Sequence, residues 1–344
     1  MPKDSIDDID ISELNKRAIS QPLVSHIYTA DPSAHVFNGR IYIYPSHDIE
    51  SGIPFDDLGS HFAMEDYHVL SMSGPYDKAE DHVVVLHIND IPWAQKQLWA
   101  PDANKKNDTY YLYFPAKDYQ GVFRIGVATS SSPVGPFKAQ PQAINGSYSI
   151  DPAVFRDDDG SYYMYFGGIW GGQLQRWKTG TYKSEGEGPL AHLPGDNEPA
   201  LCAKIAKLSD DLLEFSEQPK DVIISDDNGK PLLQGDHEKR FFEASWLHKH
   251  RGRYYFSYST GDTHYICYAI GDNPYGPFTY KGILLFPVVG WTNHHSILQF
   301  NDGWYLFYHD SSLSGGITHL RSVKVTQLVH NDDGSIQPVY PYSK

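Results

Sequence analysis

The sequence predicts an all-β fold, specifically a five-bladed β-propeller, on two observations. The first is composition: the 344 residues include 25 Tyr, 16 Phe and 7 Trp, together 14% of the chain, with 29 Gly and 23 Pro. Aromatic residues favour strands, and Gly and Pro mark the turns between short strands. The second observation is a turn followed by an aromatic strand, which recurs along the whole chain.

Each copy of this repeated segment begins with a tight polar turn and continues as an alternating aromatic and aliphatic strand, as in a β-hairpin. The copies lie at 38–46, 107–114, 159–167, 251–258 and 302–309. Over about 320 residues they leave roughly 60 residues per unit, enough for the four strands of a propeller blade. Helical periodicity is scarce, and the best helix candidate is the first twenty residues. Residues 1–344 are therefore predicted to form one domain, with an N-terminal extension at 1–24 and a C-terminal tail at 329–344.

The charge and the cysteine content exclude several classes of protein. With 28 Lys and Arg against 43 Asp and Glu, the net charge is −15. Phosphate backbones and anionic lipids would repel such a chain, so we expect neither a nucleic-acid nor a membrane partner. The N-terminus lacks a basic start followed by an apolar stretch, which predicts a cytoplasmic protein. Two cysteines are too few for a disulfide framework, and no CxxC pair indicates a structural zinc site.

A second regularity lies eleven residues before a tyrosine of each aromatic strand. We call these the axial positions; they hold Asp31, Ala100, Asp151, Glu243 and His294. The innermost strands of a propeller line its central channel, so equivalent positions should converge on the axis. Carboxylates held close together resist joint ionisation, and the arrangement costs free energy unless a function uses it.

Two opposed carboxylates are the usual apparatus for breaking a glycosidic bond: one donates a proton to the leaving oxygen while the other activates water or attacks the sugar. Glu243 suits the donor role because its apolar neighbours favour the protonated form. Asp31 lies in a more polar run and should stay ionised. A third acid, Asp151, can raise the pKa of the donor by repulsion.

These positions and their neighbours resemble glycoside hydrolase family 43. The resemblance spans nearly the whole chain and rests on ADPS at 30–33, WAPD at 99–102, IDPAVF at 150–155, FEAS at 242–245 and HHS at 294–296. It implies a five-bladed propeller with inverting chemistry on arabinose- or xylose-containing glycans. It further implies that Asp31 is the general base, Asp151 the residue that orients and tunes the acid, and Glu243 the general acid. The family's larger β-xylosidases add a C-terminal β-sandwich, which we do not expect here.

The resemblance also implies a binding residue and a metal. HLRSV at 319–323 resembles the segment that carries an arginine in the sugar pocket, which makes Arg321 the candidate. Propellers resembling this family hold a divalent cation near the axis with a histidine as its one protein ligand, which implies His294. Calcium fits best, with magnesium or manganese as alternatives. The competing interpretation of His294 is a hydrogen-bonded channel residue without a metal.

Aromatic side chains near the axial positions are candidate platforms for sugar rings: Trp99, Phe166, Trp170 and Trp291. His47, after the first aromatic strand, is a further candidate for the pocket edge. The alternative for each aromatic residue is packing between blades. The long segment at 171–240 is expected either to rim the mouth of the active site or to contact another subunit.

The preferred function is an exo-acting, inverting glycosidase that releases xylose or arabinose from short oligosaccharides, a β-xylosidase with α-L-arabinofuranosidase activity. An endo-acting arabinanase or xylanase of the same fold is the alternative. A non-catalytic glycan-binding propeller is disfavoured because all the acids are present. A fructan hydrolase would show Asn-Asp-Pro, whereas Ala30 precedes Asp31, and a phosphorylase would need a basic pocket. The expected partner is a small oligosaccharide, and the oligomeric state stays open, a homo-oligomer included.

Overall fold

The computed structural model describes residues 10–343 except 185 and 187, and strands dominate its regular structure. One short α-helix, α1 (Ile11–Lys16), begins at Asp10, whose carboxylate accepts the Glu13 N–H at 3.1 Å. It covers part of the predicted N-terminal helix, and residues 1–9 lie outside the described residues. Short 3-10 helices follow at Ile88–Asp90, Trp170–Gly172 and Leu174–Trp177. None of the helices described is long and apolar enough to cross a membrane.

The connections between the strands differ widely in length. In chain order they are β1 (Tyr28–Phe37), β2 (Arg40–Asp48), β3 (Asp66–Met72), β4 (Glu80–His87), β5 (Ala94–Lys96), β6 (Asp102–Lys106), β7 (Thr109–Asp118), β8 (Phe123–Ser130), β9 (Lys138–Ala139), β10 (Ala153–Arg156), β11 (Tyr162–Phe166), β12 (Lys204–Lys207), β13 (Lys220–Asp221), β14 (Ile224–Ser225), β15 (Glu243–His250), β16 (Arg253–Ser259), β17 (Ile266–Gly271), β18 (Phe278–Leu285), β19 (His295–Phe300), β20 (Gly303–Asp310) and β21 (Ser322–Leu328).

These strands form five sheets, which confirms the prediction of a five-bladed propeller. Blade 1 contains β1 to β4, and blade 3 contains β10 to β13. Blade 2 contains β6 to β9 with β5 added beside β7. Blade 4 contains β15 to β18, with β14 paired in parallel to β18. Blade 5 contains β19 to β21.

The repeated segment forms the turn between the first and second strands of each blade, together with the second strand itself. Its aromatic residues supply the hydrophobic core. Tyr113, Tyr165, Phe256 and Phe307 are fully buried, and the buried clusters extend from one blade to the next. The aromatic content that predicted the fold therefore holds the blades together, while the first strands are left to line the axis.

Segments near both ends of the described chain pack on blade 5. The Leu23 N–H donates to the Val323 carbonyl at 2.8 Å, so the residues before β1 run beside β21. From the other end, the Tyr342 hydroxyl donates to Asp310 at 2.9 Å. Asp310 also pairs with Lys324 at 2.7 Å, and both side chains are fully buried. The predicted extension and tail thus complete the ring.

The segment at 171–240 contributes three short strands to the propeller. It contains β12 and β13, the outer strands of blade 3, and β14, which extends blade 4. Its beginning, Gly171 and Gly172, lines the central cavity described below. The spacing between the sequence repeats is long here because residues 167–203 connect β11 to β12 and residues 226–242 connect β14 to β15.

Candidate active site

The five axial positions all line one cavity. Asp31 lies within β1, and Glu243 is the first residue of β15. Ala100, Asp151 and His294 each lie one or two residues before the first strand of their blade. The register counted from the aromatic strands therefore corresponds to one common location at the start of each inner strand.

Local backbone irregularities aim the acids into the cavity. The pairing of β1 with β2 shifts register between Ala30 and Ser33, and that of β15 with β16 shifts between Glu243 and Trp246. Such bulges redirect side chains near active sites. Asp31 has φ 48°, a left-handed conformation that non-glycine residues adopt only when the surroundings enforce it.

Asp31 is a buried carboxylate held in its charged form. One oxygen accepts a hydrogen bond from the Arg321 guanidinium at 2.9 Å and the other from the Ser46 hydroxyl at 2.7 Å. Burial alone would raise its pKa, but Arg321, the neighbouring histidines and Ser46 together lower the pKa of Asp31 to about 2. At neutral pH this group is therefore an anion that can accept a proton.

Arg321 is itself fixed by Asp48. Its Nε donates to one Asp48 oxygen at 2.8 Å and its Nη2 to the other at 2.7 Å, a bidentate pair. Both side chains are buried, with 3% and 0% of their surface exposed. The guanidinium thus links Asp48 and Asp31 and sets the position of both carboxylates at the cavity wall.

Glu243 and Asp151 behave differently from Asp31. Burial, followed by the charge of Asp31, raises the pKa of Glu243 to about 8. Burial and the neighbouring charges of Glu243 and Asp31 raise the pKa of Asp151 as well. The Ala244 N–H donates to Asp151 at 2.8 Å and favours its charged form. Within the described part of the chain, no hydrogen bond stabilises the charged form of Glu243 in this way, which suits a group that donates a proton.

His294 lies between the two aspartates. Its Nδ1 is 3.6 Å from an Asp31 oxygen and 4.0 Å from an Asp151 oxygen. Burial lowers its pKa to about 4, so the ring is neutral at pH 7 and keeps a lone pair. A neutral imidazole in this position meets the chemical requirement for a metal ligand.

Three of the four predicted aromatic residues line the cavity: Trp99, Trp170 and Trp291. The prediction for Phe166 is wrong. Phe166 is fully buried in the core and stacks on Phe215 with ring centroids 5.7 Å apart. The sequence placed it near the axis because it closes an aromatic strand, but that strand is the second of its blade and its end packs outward.

The prediction for His47 is also wrong, for a reason of strand geometry. Successive side chains of a strand point to opposite faces. Ser46 and Asp48 of β2 face Asp31 and Arg321, so His47 faces away, where its Nδ1 lies 2.6 Å from Asp66 Oδ1. The next residue, Asp48, does not line the cavity either, but it binds Arg321, which does.

Sequence reasoning missed the segment at 51–64, which we call the blade 1 loop. It contributes Phe55, Asp56, His61, Phe62 and Met64 to the cavity wall. Trp99 Nε1 donates to the Phe62 carbonyl at 2.8 Å, and the Phe62 ring lies 4.7 Å from the Arg321 guanidinium carbon. The loop carries neither the repeat nor a family motif, so no signal in the sequence pointed to it.

The blade 1 loop also reaches across to blade 3. A Cβ atom at Gly171 would lie 2.5 Å from the Leu58 carbonyl oxygen, so the two backbones are in direct contact. Gly171 belongs to the 3-10 helix that carries Trp170. This contact joins the blade 1 loop to the 3-10 helix of blade 3 next to Gly171, which lines the cavity.

Comparison with known proteins agrees with this geometry. Residues 22–336 match the family described as glycosyl hydrolases family 43. The chain is 57% identical over 320 residues to a xylosidase/arabinosidase 43A from Humicola insolens, covering 92% of this chain and 98% of that protein.

Solved structures agree as well. A GH43 β-xylosidase/α-arabinofuranosidase from a compost microbial metagenome, in complex with xylotriose and in calcium-free form, is 64% identical, with a TM-score of 0.92 over 94% of this chain and 98% of that one. A GH43_1 enzyme from Xanthomonas citri complexed with xylotriose is 56% identical, with a TM-score of 0.91 over 97% of both chains. The match over most of the chain shows that this protein is a glycoside hydrolase and belongs to glycosyl hydrolase family 43.

Proposed function

We propose that this protein is an exo-acting, inverting β-xylosidase with α-L-arabinofuranosidase activity on short oligosaccharides. The observation that carries the proposal is the opposite protonation of two acids in one buried cavity, Asp31 as an anion and Glu243 as a proton carrier. The names of the relatives, which combine xylosidase with arabinosidase, support the sugar class.

The exo mode rests on the shape of the cavity. An endo-acting enzyme needs a groove that runs past the scissile bond on both sides. We infer that the contact between the Leu58 carbonyl and Gly171, a residue of the cavity wall, obstructs one side. A terminal sugar would then lie against Phe62, Trp99 and Arg321, with the leaving group toward the opening. This obstruction favours a xylosidase over the endo-acting alternative.

The chemistry follows from the charges. Glu243 donates its proton to the glycosidic oxygen as the bond to the leaving group breaks, and Asp31 accepts a proton from the water that attacks the anomeric carbon. Asp151 orients the backbone next to Glu243 by accepting the Ala244 N–H. Arg321 keeps Asp31 ionised and anchored while the proton moves.

The proposal is tested with aryl glycosides of β-D-xylopyranose, α-L-arabinofuranose and β-D-glucopyranose, and the configuration of the first sugar released is followed by NMR. We expect turnover of the first two, little of the third, and release with inverted configuration. Release with retained configuration would show that Asp31 attacks the sugar directly. Cleavage of internally linked polymer with no activity on the aryl glycosides would support an endo mode.

The pH dependence should be set by the same two acids. Glu243 must be protonated, so kcat/KM is expected to fall as the pH rises through about 8. Asp31 must be ionised, so kcat/KM should fall on the acid side only as the pH falls toward about 2. With an activated aryl xyloside, Glu243→Gln should lose the alkaline limb. An unchanged alkaline limb in that variant would assign it to another group.

Filling the contact at Gly171 should weaken substrate binding. In Gly171→Ala the new methyl group meets the Leu58 carbonyl and must displace the blade 1 loop, and overpacking of this kind costs about 1–3 kcal/mol. We expect kcat/KM for an aryl xyloside to fall about tenfold, mostly through KM. Gly195→Ala is the control, because its new Cβ would meet only ordinary contacts near 3.7 Å. Equal kinetics in both variants would mean that the loop contact does not shape the pocket.

We further propose that His294 holds a divalent cation, with calcium first. Its neutral ring and its position between Asp31 and Asp151 suit a ligand in a site otherwise completed by water. A cation bound there would order water near the acids and favour their ionised forms.

Removal of the cation tests this proposal. After treatment with a chelator, activity and melting temperature should both fall, and calcium should restore them, because a ligand that binds only the folded state stabilises it. His294→Asn should no longer respond to calcium. No change in either quantity on chelation would leave His294 as a hydrogen-bonded channel residue.

A further inference from the structure

Blade 1 contains a second cluster of potential metal ligands, outside the catalytic cavity. It consists of His47 on β2 and of Asp66 and His68 on β3, and one ligand atom from each lies within 4.8 Å of the others. None of the three residues lines the cavity. The proposed reaction therefore leaves this cluster unexplained.

The register of the sheet brings these residues together. Asp66 and His68 are two residues apart on β3 and so share a face. Ser46 pairs with Tyr67 across β2 and β3, which puts His47 opposite Asp66. His47 Nδ1 lies 2.6 Å from Asp66 Oδ1, and the rings of His47 and His68 are 4.5 Å apart.

Asp81 provides a further carboxylate, which contacts the His68 ring. His68 Nδ1 is hydrogen-bonded to Asp81 Oδ1 at 2.8 Å, which leaves Nε2 as the nitrogen with a lone pair. Histidines that bind metals commonly bond their other ring nitrogen to a carboxylate, which fixes the tautomer and the ring orientation. The side chains of His47 and Asp66 are each 17% exposed and that of His68 is 8% exposed, so an ion from solvent can reach them.

We propose that His47, Asp66 and His68 form a binding site for a divalent transition-metal ion of the zinc and cobalt class, with Asp81 orienting His68. Two imidazoles and one carboxylate suit zinc, cobalt or nickel. Zinc is often bound by three protein ligands and a water molecule. Calcium prefers six to eight oxygen ligands and does not match this donor set.

Binding would require the three ligand atoms, which lie within 4.8 Å of one another, to rearrange around the ion. The proton shared by His47 and Asp66 leaves to solvent as the metal takes its place, and no electron transfer is involved. Ligands about 2.0–2.2 Å from a zinc ion lie about 3.3 Å apart in tetrahedral geometry, so His47 and Asp66 would separate by less than about 1 Å. The ion would cross-link β2 and β3 next to Asp48, the residue that holds Arg321.

Cobalt provides a direct probe. His294→Asn protein, which lacks the other proposed cation ligand, is freed of metal by chelation and titrated with Co²⁺ while its visible absorption is recorded. We expect one equivalent to bind with the bands of a nitrogen- and oxygen-ligated ion, and Zn²⁺ to displace it. Adding His68→Gln or Asp66→Asn should abolish this equivalent, and Asp81→Asn should weaken it about 10–100-fold.

The matched control is His82→Gln. It removes an imidazole of the same blade that is hydrogen-bonded to Ser71 and lies outside the proposed metal site. It should bind Co²⁺ like its parent. Circular dichroism verifies the fold of each variant. A crystal soaked in zinc decides the matter without any variant: an anomalous peak between the three side chains supports the proposal. The absence of that peak, or Co²⁺ binding that survives both His68→Gln and Asp66→Asn, overturns it.

Discussion

Replacing Glu243 with glutamine is expected to lower turnover of xylo-oligosaccharides by about 10²–10⁴-fold. Glutamine keeps the size of the side chain but carries no acidic proton, and natural leaving groups depart poorly without one. The elevated pKa of Glu243, about 8, means that the wild-type residue holds this proton at neutral pH. The measurement is kcat on xylobiose, with circular dichroism to verify the fold.

The leaving group separates the roles of the acids. An aryl xyloside with an acidic phenol needs little help to depart, so it should restore much of the activity of Glu243→Gln. It should restore little in Asp31→Asn, because that variant lacks the group that accepts the proton of the attacking water. Equal rescue of the two variants would mean that their roles are misassigned.

Replacing Arg321 with methionine is expected to destabilise the protein by about 3–5 kcal/mol, the usual result when one partner of a buried ion pair is removed. The variant leaves the carboxylates of Asp31 and Asp48 buried without their cation. The pKa of Asp31 should then rise, because burial is no longer outweighed by the guanidinium. Urea unfolding measures the first effect, and the acid limb of kcat/KM measures the second.

A double variant distinguishes charge burial from loss of packing. Adding Asp48→Leu to Arg321→Met removes one of the stranded carboxylates, so part of the lost stability should return while activity stays low. If the single variant loses less than about 1 kcal/mol, the pair behaves like an exposed one and does not anchor Asp31 as argued.

The convergence of the axial positions was predictable because propeller blades repeat in sequence. Once the aromatic second strands were aligned, a fixed count led from each to the start of the preceding strand, and the structure places all these positions in one cavity. The count of eleven residues still reaches the right position where there is a bulge, as at Asp31, because the bulge is local and β1 and β2 stay paired before and after it.

Side-chain direction was harder to predict than position. His47 and Asp48 are neighbours on β2, yet only Asp48 reaches Arg321. Which of the two side chains points toward Arg321 depends on the shifted register between β1 and β2. The prediction for Phe166 was wrong for a similar reason, since an aromatic residue at the end of a strand can pack in the core as readily as it can line a pocket. Such choices depend on neighbours that are distant in sequence.

The blade 1 loop was beyond sequence reasoning altogether. Its conformation depends on contacts with other blades, such as that of Trp99 Nε1 with the Phe62 carbonyl and that of the Leu58 carbonyl with Gly171. Neither contact has a signature in the loop's own residues. The part of the site that repeats was therefore predictable, and the wall that gives the pocket its shape was not.

The closure of the ring on blade 5 has a consequence for biosynthesis. Asp31 and Arg321 are hydrogen-bonded although 290 positions separate them in the sequence, and the Leu23 N–H donates a hydrogen bond to the Val323 carbonyl. While a ribosome is still translating the earlier blades, the first aspartate has no guanidinium to neutralise it, and the edge of β1 has no neighbour from the final sheet. Nascent chains arrested before codon 321 should therefore be inactive and sensitive to protease.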